Sequence, residues 1–103
     1  MTGYDFHPTA ESDVAEIWDF IAEDSPDAAD KVTEDIVAGI KALVPFPYQG
    51  HTRPDLTSRR LRFIVVRKYL IAYAPDEKPL WVIAVMHGRR NPRVMAAFLR
   101  ERE

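Results

Sequence analysis

The sequence predicts an α+β domain of order β-α-α-β-β-β-α, and three observations carry that prediction. Apolar residues recur at helical spacing between Val14 and Leu43; β-branched and aromatic runs fill most of residues 61–86; prolines and a serine punctuate the boundaries. Helices grouped ahead of strands point to α+β and away from a doubly wound sheet. At 103 residues, with 47% apolar residues and two tryptophans, the chain supports one compact domain over 1–103 and excludes disorder.

Tyr4-Asp5-Phe6-His7-Pro8 alternates aromatic and polar residues and stops at proline, as a short first strand does. A helix is expected from Thr9 or Ala10, with Val14, Ile17, Trp18, Ile21 and Ala22 forming one buried stripe. Its carboxylates, Asp13 among them, have no histidine beside them and read as a solvated face. Ser25 is placed to cap a second helix, with Pro26 in the first turn, where a missing N–H costs nothing. Val32, Ile36, Ile40 and Leu43 give that helix its apolar stripe, and Pro45 and Pro47 end it. So short a link between two helices predicts an αα-hairpin.

The runs 61–66, 69–73 and 80–86, divided by Arg67-Lys68 and by Pro75-Asp76-Glu77-Lys78-Pro79, predict an antiparallel meander. Val94, Met95, Phe98 and Leu99 then keep helical spacing in a short last helix. Trp18, Ile21, Ile36, Ile40, Phe63 and Ile83 are the expected core. The strands are apolar at nearly every position, so both sheet faces need cover. The hairpin supplies one; the other falls either to the last helix or to a partner chain.

Charge is unevenly placed. Residues 1–50 hold two lysines against eleven acids, a balance of −9, whereas residues 51–103 hold twelve cations against five acids, a balance of +7. The cations concentrate in Arg59-Arg60-Leu61-Arg62, entering the second strand, and His87-Gly88-Arg89-Arg90-Asn91, leaving the fourth. Arg59, Arg60, Arg62, His87, Arg89 and Arg90 are therefore the candidate binding residues: such a group clamps phosphate or carboxylate. In a meander the two clusters are expected to approach each other, with Gly88 giving the backbone freedom to turn. The plainer alternative is that these arginines pair with acids such as Asp55 or Asp76. His87 is expected on the strand face of Trp81, Ile83 and Val85.

No cysteine is present, so neither a disulfide framework nor a thiolate metal site forms. No phosphate loop, zinc-protease motif or dinucleotide fingerprint occurs, and no metal or other cofactor is expected. The N-terminus lacks the pattern of a secretory signal, and no apolar stretch approaches a membrane span of ~20 residues. A cytoplasmic location without membrane contact is expected.

Several stretches together resemble the ParE branch of the ParE/RelE superfamily of type II toxin–antitoxin systems. They are Ile17-Trp18-Asp19-Phe20-Ile21-Ala22 with Ser25-Pro26-Asp27-Ala28-Ala29, Leu61-Arg62 leading to Arg67-Lys68-Tyr69-Leu70-Ile71-Ala72-Tyr73, and Val82-Ile83-Ala84-Val85-Met86-His87-Gly88-Arg89-Arg90-Asn91. The resemblance implies a helical hairpin on a small antiparallel sheet. It implies a bacterial toxin that inhibits DNA gyrase, neutralised in a hetero-oligomer by a ParD-like antitoxin with a partly disordered C-terminal segment. The alternative is a ribosome-dependent mRNA endoribonuclease of the RelE type. Arg62, His87, Arg89 and Arg90 would then supply its catalysis; against it, residues 92–103 contain neither the Tyr nor the His that such nucleases commonly place there.

Overall fold

The computed structural model describes residues 3–102. In order, the elements are β1 (Tyr4–Phe6), α1 (Pro8–Ala22), α2 (Pro26–Leu43), a 3₁₀ turn (Pro47–Gln49), β2 (Arg62–Val66), β3 (Tyr69–Ala74), β4 (Leu80–His87) and α3 (Pro92–Glu101). The predicted order is the observed one. α1 begins at Pro8 itself, earlier than the stripe suggests, because the ring presets the helical φ at the first position. The His7 side chain supplies the cap, its Nδ1 accepting the Thr9 N–H at 3.1 Å. Ser25 caps α2 as expected, Oγ accepting the Ala28 N–H at 3.2 Å.

The four strands form one sheet in the order β1-β4-β3-β2. β2, β3 and β4 make the expected antiparallel meander, and β1 adds a parallel edge strand beside β4, with Tyr4 opposite Leu80 and Phe6 opposite Val82. The register of β3 on β4 slips between Ala72, which faces Ala84, and Tyr73, which faces Val82. Ile83 is thus an extra residue, a β-bulge, and it resets the alternation. Leu80, Val82 and Val85 pack toward the hairpin, while Trp81, Ile83, Ala84 and Met86 pack on the other face. The expectation that His87 shares a face with Trp81 and Ile83 is corrected accordingly. With Val85, it belongs to the hairpin side.

Each face has its own core. α2 lays Val32, Ile36, Ile40 and Leu43 against Ile71, Tyr73, Val82 and Val85. On the opposite face Met95 and Leu99 of α3, with Leu56 and Leu61 from the preceding loop, bury Phe63, Leu70, Ala72, Ile83 and Met86. The last helix and that loop therefore supply the cover that a partner was the alternative to provide. An argument for a partner from a bare sheet face does not hold.

Ile36, Ile40, Phe63 and Ile83 are buried as expected. Trp18 and Ile21 are only half-buried. Ile21 borders an open cleft beside α1. Trp18 keeps its indole N–H at the rim of the hairpin, where it donates to Asp30 Oδ1 at 2.8 Å. Among the described residues no helix is long and apolar enough to cross a membrane.

Candidate functional site

The two arginine clusters lie at opposite ends of the sheet. Arg62 opens β2 opposite Tyr73, whereas His87 closes β4 opposite Tyr69, which in turn faces Val66 at the far end of β2. In a meander the first and third strands run in the same direction, so their entries lie together and their exits lie together. The entry of β2 and the exit of β4 are therefore kept apart, and the expected meeting of the clusters does not occur.

At the β2 entry, each arginine has a local task. Arg59 donates from Nη1 to the carbonyls of Leu99 at 2.9 Å and Arg102 at 2.8 Å, closing the C-terminal end of α3 with a cation, where the helix dipole favours one. Arg60 lies 3.1 Å from Asp76 Oδ2 and remains 85% exposed. Arg62 donates to the Gly50 carbonyl at 2.7 Å and covers the Tyr48 ring, 5.5 Å from its centroid. The Tyr48 hydroxyl donates to Asp76, and that bond holds the phenol above its ordinary pKa. Beneath them the buried Tyr73 hydroxyl donates to the Pro47 carbonyl at 2.7 Å and accepts the Gly50 N–H at 3.0 Å. Burial raises its pKa in turn. A Cβ on Gly50 would collide with that hydroxyl, which explains the glycine. Arg53 and Asp55 form a separate two-pronged pair, at 2.9 and 2.8 Å.

At the β4 exit the side chains are less committed. His87 is half-buried, meets Tyr69 edge-on at 5.7 Å, and accepts the Arg89 N–H on Nδ1 at 3.1 Å. Gly88 donates to the Lys68 carbonyl at 2.7 Å, and a Cβ there would sit 3.2 Å from the same oxygen. Close approach, not a left-handed turn, is the reason for this glycine; the left-handed residue nearby is Arg67, with φ 55°. Asn91 caps α3 by accepting the Arg93 N–H at 2.8 Å. Arg89 is exposed, and Arg90 extends over Phe98 at 5.0 Å.

His87, Tyr69 and Arg90 border a cleft of about 720 Å³ between α1, the β2–β3 turn and α3. Its apolar surface includes Ile17, Phe20, Ile21, Val85 and Phe98, and Arg67, Lys68 and Arg90 stand around it. Phe20 is 74% exposed, an unusual position for a large aromatic residue on a helix that packs against a core. Asp13 and Arg102 also line the cleft, and their ion pair, at 2.5 and 3.0 Å, bridges α1 to the end of α3. Asp13 Oδ2 accepts the Val85 N–H at 3.0 Å, and Arg102 Nη1 reaches the Ile83 carbonyl at 3.4 Å. The pair thus occupies backbone groups of β4 beyond the reach of β1. Asp13, read from sequence as a solvated acid, is a half-buried clamp.

Of the sequence candidates, His87, Arg89 and Arg90 meet at the cleft end and Arg59, Arg60 and Arg62 at the other. Sequence reasoning missed Phe20, Asp13, Arg102 and the contribution of Arg67-Lys68. Phe20 alone carried a signal, an aromatic residue outside the α1 stripe.

The sequence profile for the ParE toxin of the type II toxin–antitoxin system parDE matches residues 4–92. The chain belongs to the ParE toxin family. A solved structure described as the chromosomal ParDE toxin–antitoxin system from P. aeruginosa has the same fold, with a TM-score of 0.69 at 21% identity. The match covers 82% of this chain and 92% of that one. A comparison with curated proteins gives no match. The ParE-family match ends at Pro92, so nearly all of α3, including Phe98, and Arg102 after it lie beyond it.

Proposed function

We propose that this ParE-family chain is a cytoplasmic toxin that inhibits DNA gyrase and blocks replication, held inactive by an antitoxin seated in the α1–α3 cleft. Family membership supports the toxin reading. One observation favours gyrase over the RNase alternative: the four groups that alternative needs are separated, Arg62 at one end of the sheet and His87, Arg89 and Arg90 at the other. Cleaving a phosphodiester requires a base, an acid and cations converging on one phosphate. Inhibition by binding needs only a surface.

In cells expressing the chain, replication should stop and DNA breaks accumulate while mRNA stays intact. The purified protein should trap gyrase in its DNA-cleavage complex. Rapid cutting of translated mRNA with normal gyrase activity would reverse the assignment.

The antitoxin reading moves from the sheet face to the cleft. An antitoxin segment that orders on binding places apolar side chains on Ile17, Phe20 and Ile21 and acids toward Lys68 and Arg90, since Arg67 is already paired with Asp35 at 2.7 Å. Wrapping of this kind should bury more than the ~1,600 Å² of a standard interface and raise the melting temperature of the toxin. Phe20→Glu should abolish the complex while leaving the free toxin folded; retention of full affinity would place the antitoxin elsewhere.

A further inference from the structure

The β2-entry end of the sheet has no part in the cleft. Two aromatic side chains stand in solvent there, Phe46 at 69% and Tyr48 at 53% exposure, on either side of Pro47. Single exposed aromatics are ordinary. Tyr48, however, lines a recess of about 340 Å³ together with Arg53, Arg59, Arg60 and Arg62. The acid in its lining is Asp76, which takes the Tyr48 hydroxyl and one nitrogen of Arg60, while Asp55, outside the lining, holds Arg53. Four cations against two acids leave the recess positive.

The geometry is fixed in advance. The bond to Asp76 sets the Tyr48 ring, and the Gly50 carbonyl sets the Arg62 guanidinium over it. The other Arg62 N–H groups have no acceptor among the described residues, and Arg60 is almost wholly in solvent. An aromatic platform beside fixed guanidinium groups matches the two needs of an unpaired strand, a surface for a base to stack on and cations for the adjoining phosphates. A duplex hides its base faces and engages only the cations. The acids of α1 and α2 repel a polyanion from the hairpin and so steer it toward the sheet ends.

We infer that this end of the molecule binds single-stranded nucleic acid, with a base on Tyr48 and its phosphates at Arg60 and Arg62. The inference stands apart from the gyrase reading. Binding is measured on the purified chain, and a failed gyrase assay leaves it untouched.

The test is fluorescence anisotropy of the full chain with labelled twelve-nucleotide oligo-dT, oligo-U and a mixed-sequence duplex, titrated across salt concentration. Single strands should bind at least tenfold tighter than duplex, and more weakly as salt rises. Tyr48→Ala should lose about tenfold in affinity, and Tyr48→Phe, which keeps the ring, should recover most of it. Arg60→Ala should weaken every single strand alike, and the double variant Arg89→Ala with Arg90→Ala should bind as the parent does. Thermal melting checks that each variant is folded. Preference for oligo-dT or oligo-U decides between DNA and RNA, and either supports the site. The inference is overturned by absence of binding, by equal affinity for duplex, by indifference to Tyr48→Ala, or by loss on replacing Arg89 and Arg90.

Discussion

Arg59 and Arg89 each begin an Arg-Arg pair, yet the fold uses them differently. Arg59 holds the carbonyls of Leu99 and Arg102 and so fastens α3 to the loop before β2. Arg89 stands exposed at the cleft end and has no ion-pair partner among the described residues. The difference lies in what surrounds them: one guanidinium meets the carbonyls of a helix end, the other meets water. An arginine cluster in a sequence is therefore not one site. Its members divide between holding the chain together and facing a partner.

That contrast can be broken by substitution, and the largest effect belongs to a third arginine of the holding kind. Arg102 and Asp13 are 9% and 15% exposed at their side chains. Removing either should cost about 3 kcal/mol, because the remaining charge keeps its desolvation without its counterion. Replacing both together, Asp13→Leu with Arg102→Met, should cost less than either single change. Urea denaturation measures all three, and additive losses would show that the two charges do not act as a pair.

Tyr73→Phe comes next, at about 1–3 kcal/mol, since the Gly50 N–H loses its buried acceptor and the Pro47 carbonyl its donor. Arg59→Ala should cost about 1.5 kcal/mol through its two carbonyl bonds, with α3 as the segment that loses hydrogen-exchange protection. Arg89→Ala should change stability by less than about 0.5 kcal/mol while weakening toxicity or antitoxin binding. Equal destabilisation by Arg59→Ala and Arg89→Ala would erase the distinction between the two ends.

The elements were legible because their signals are local. The apolar period of α2, the Ser25-Pro26 start and the Pro75–Pro79 break each act within a few residues of themselves. The site was less legible because its contacts are distant. Asp13 and Arg102 are 89 positions apart, and nothing within α1 marks Asp13 as different from Glu11 or Glu16. The separation of Arg62 from His87 follows from strand direction once the meander is granted. The face that His87 occupies does not, since residues 80–86 are all apolar and leave no alternation in which a slip would be seen.

That slip at Ile83 acts as a phase shift in β4. Before it, even-numbered side chains turn toward the hairpin; after it, odd-numbered ones do. With an uninterrupted alternation, His87 would be carried to the α3 side and Met86 to the hairpin. The extra residue thus chooses which of two surfaces receives the histidine, without changing a single side chain at either. Loss of one residue from β4 would redirect the strand's exit, so length, and not only composition, is inherited information here.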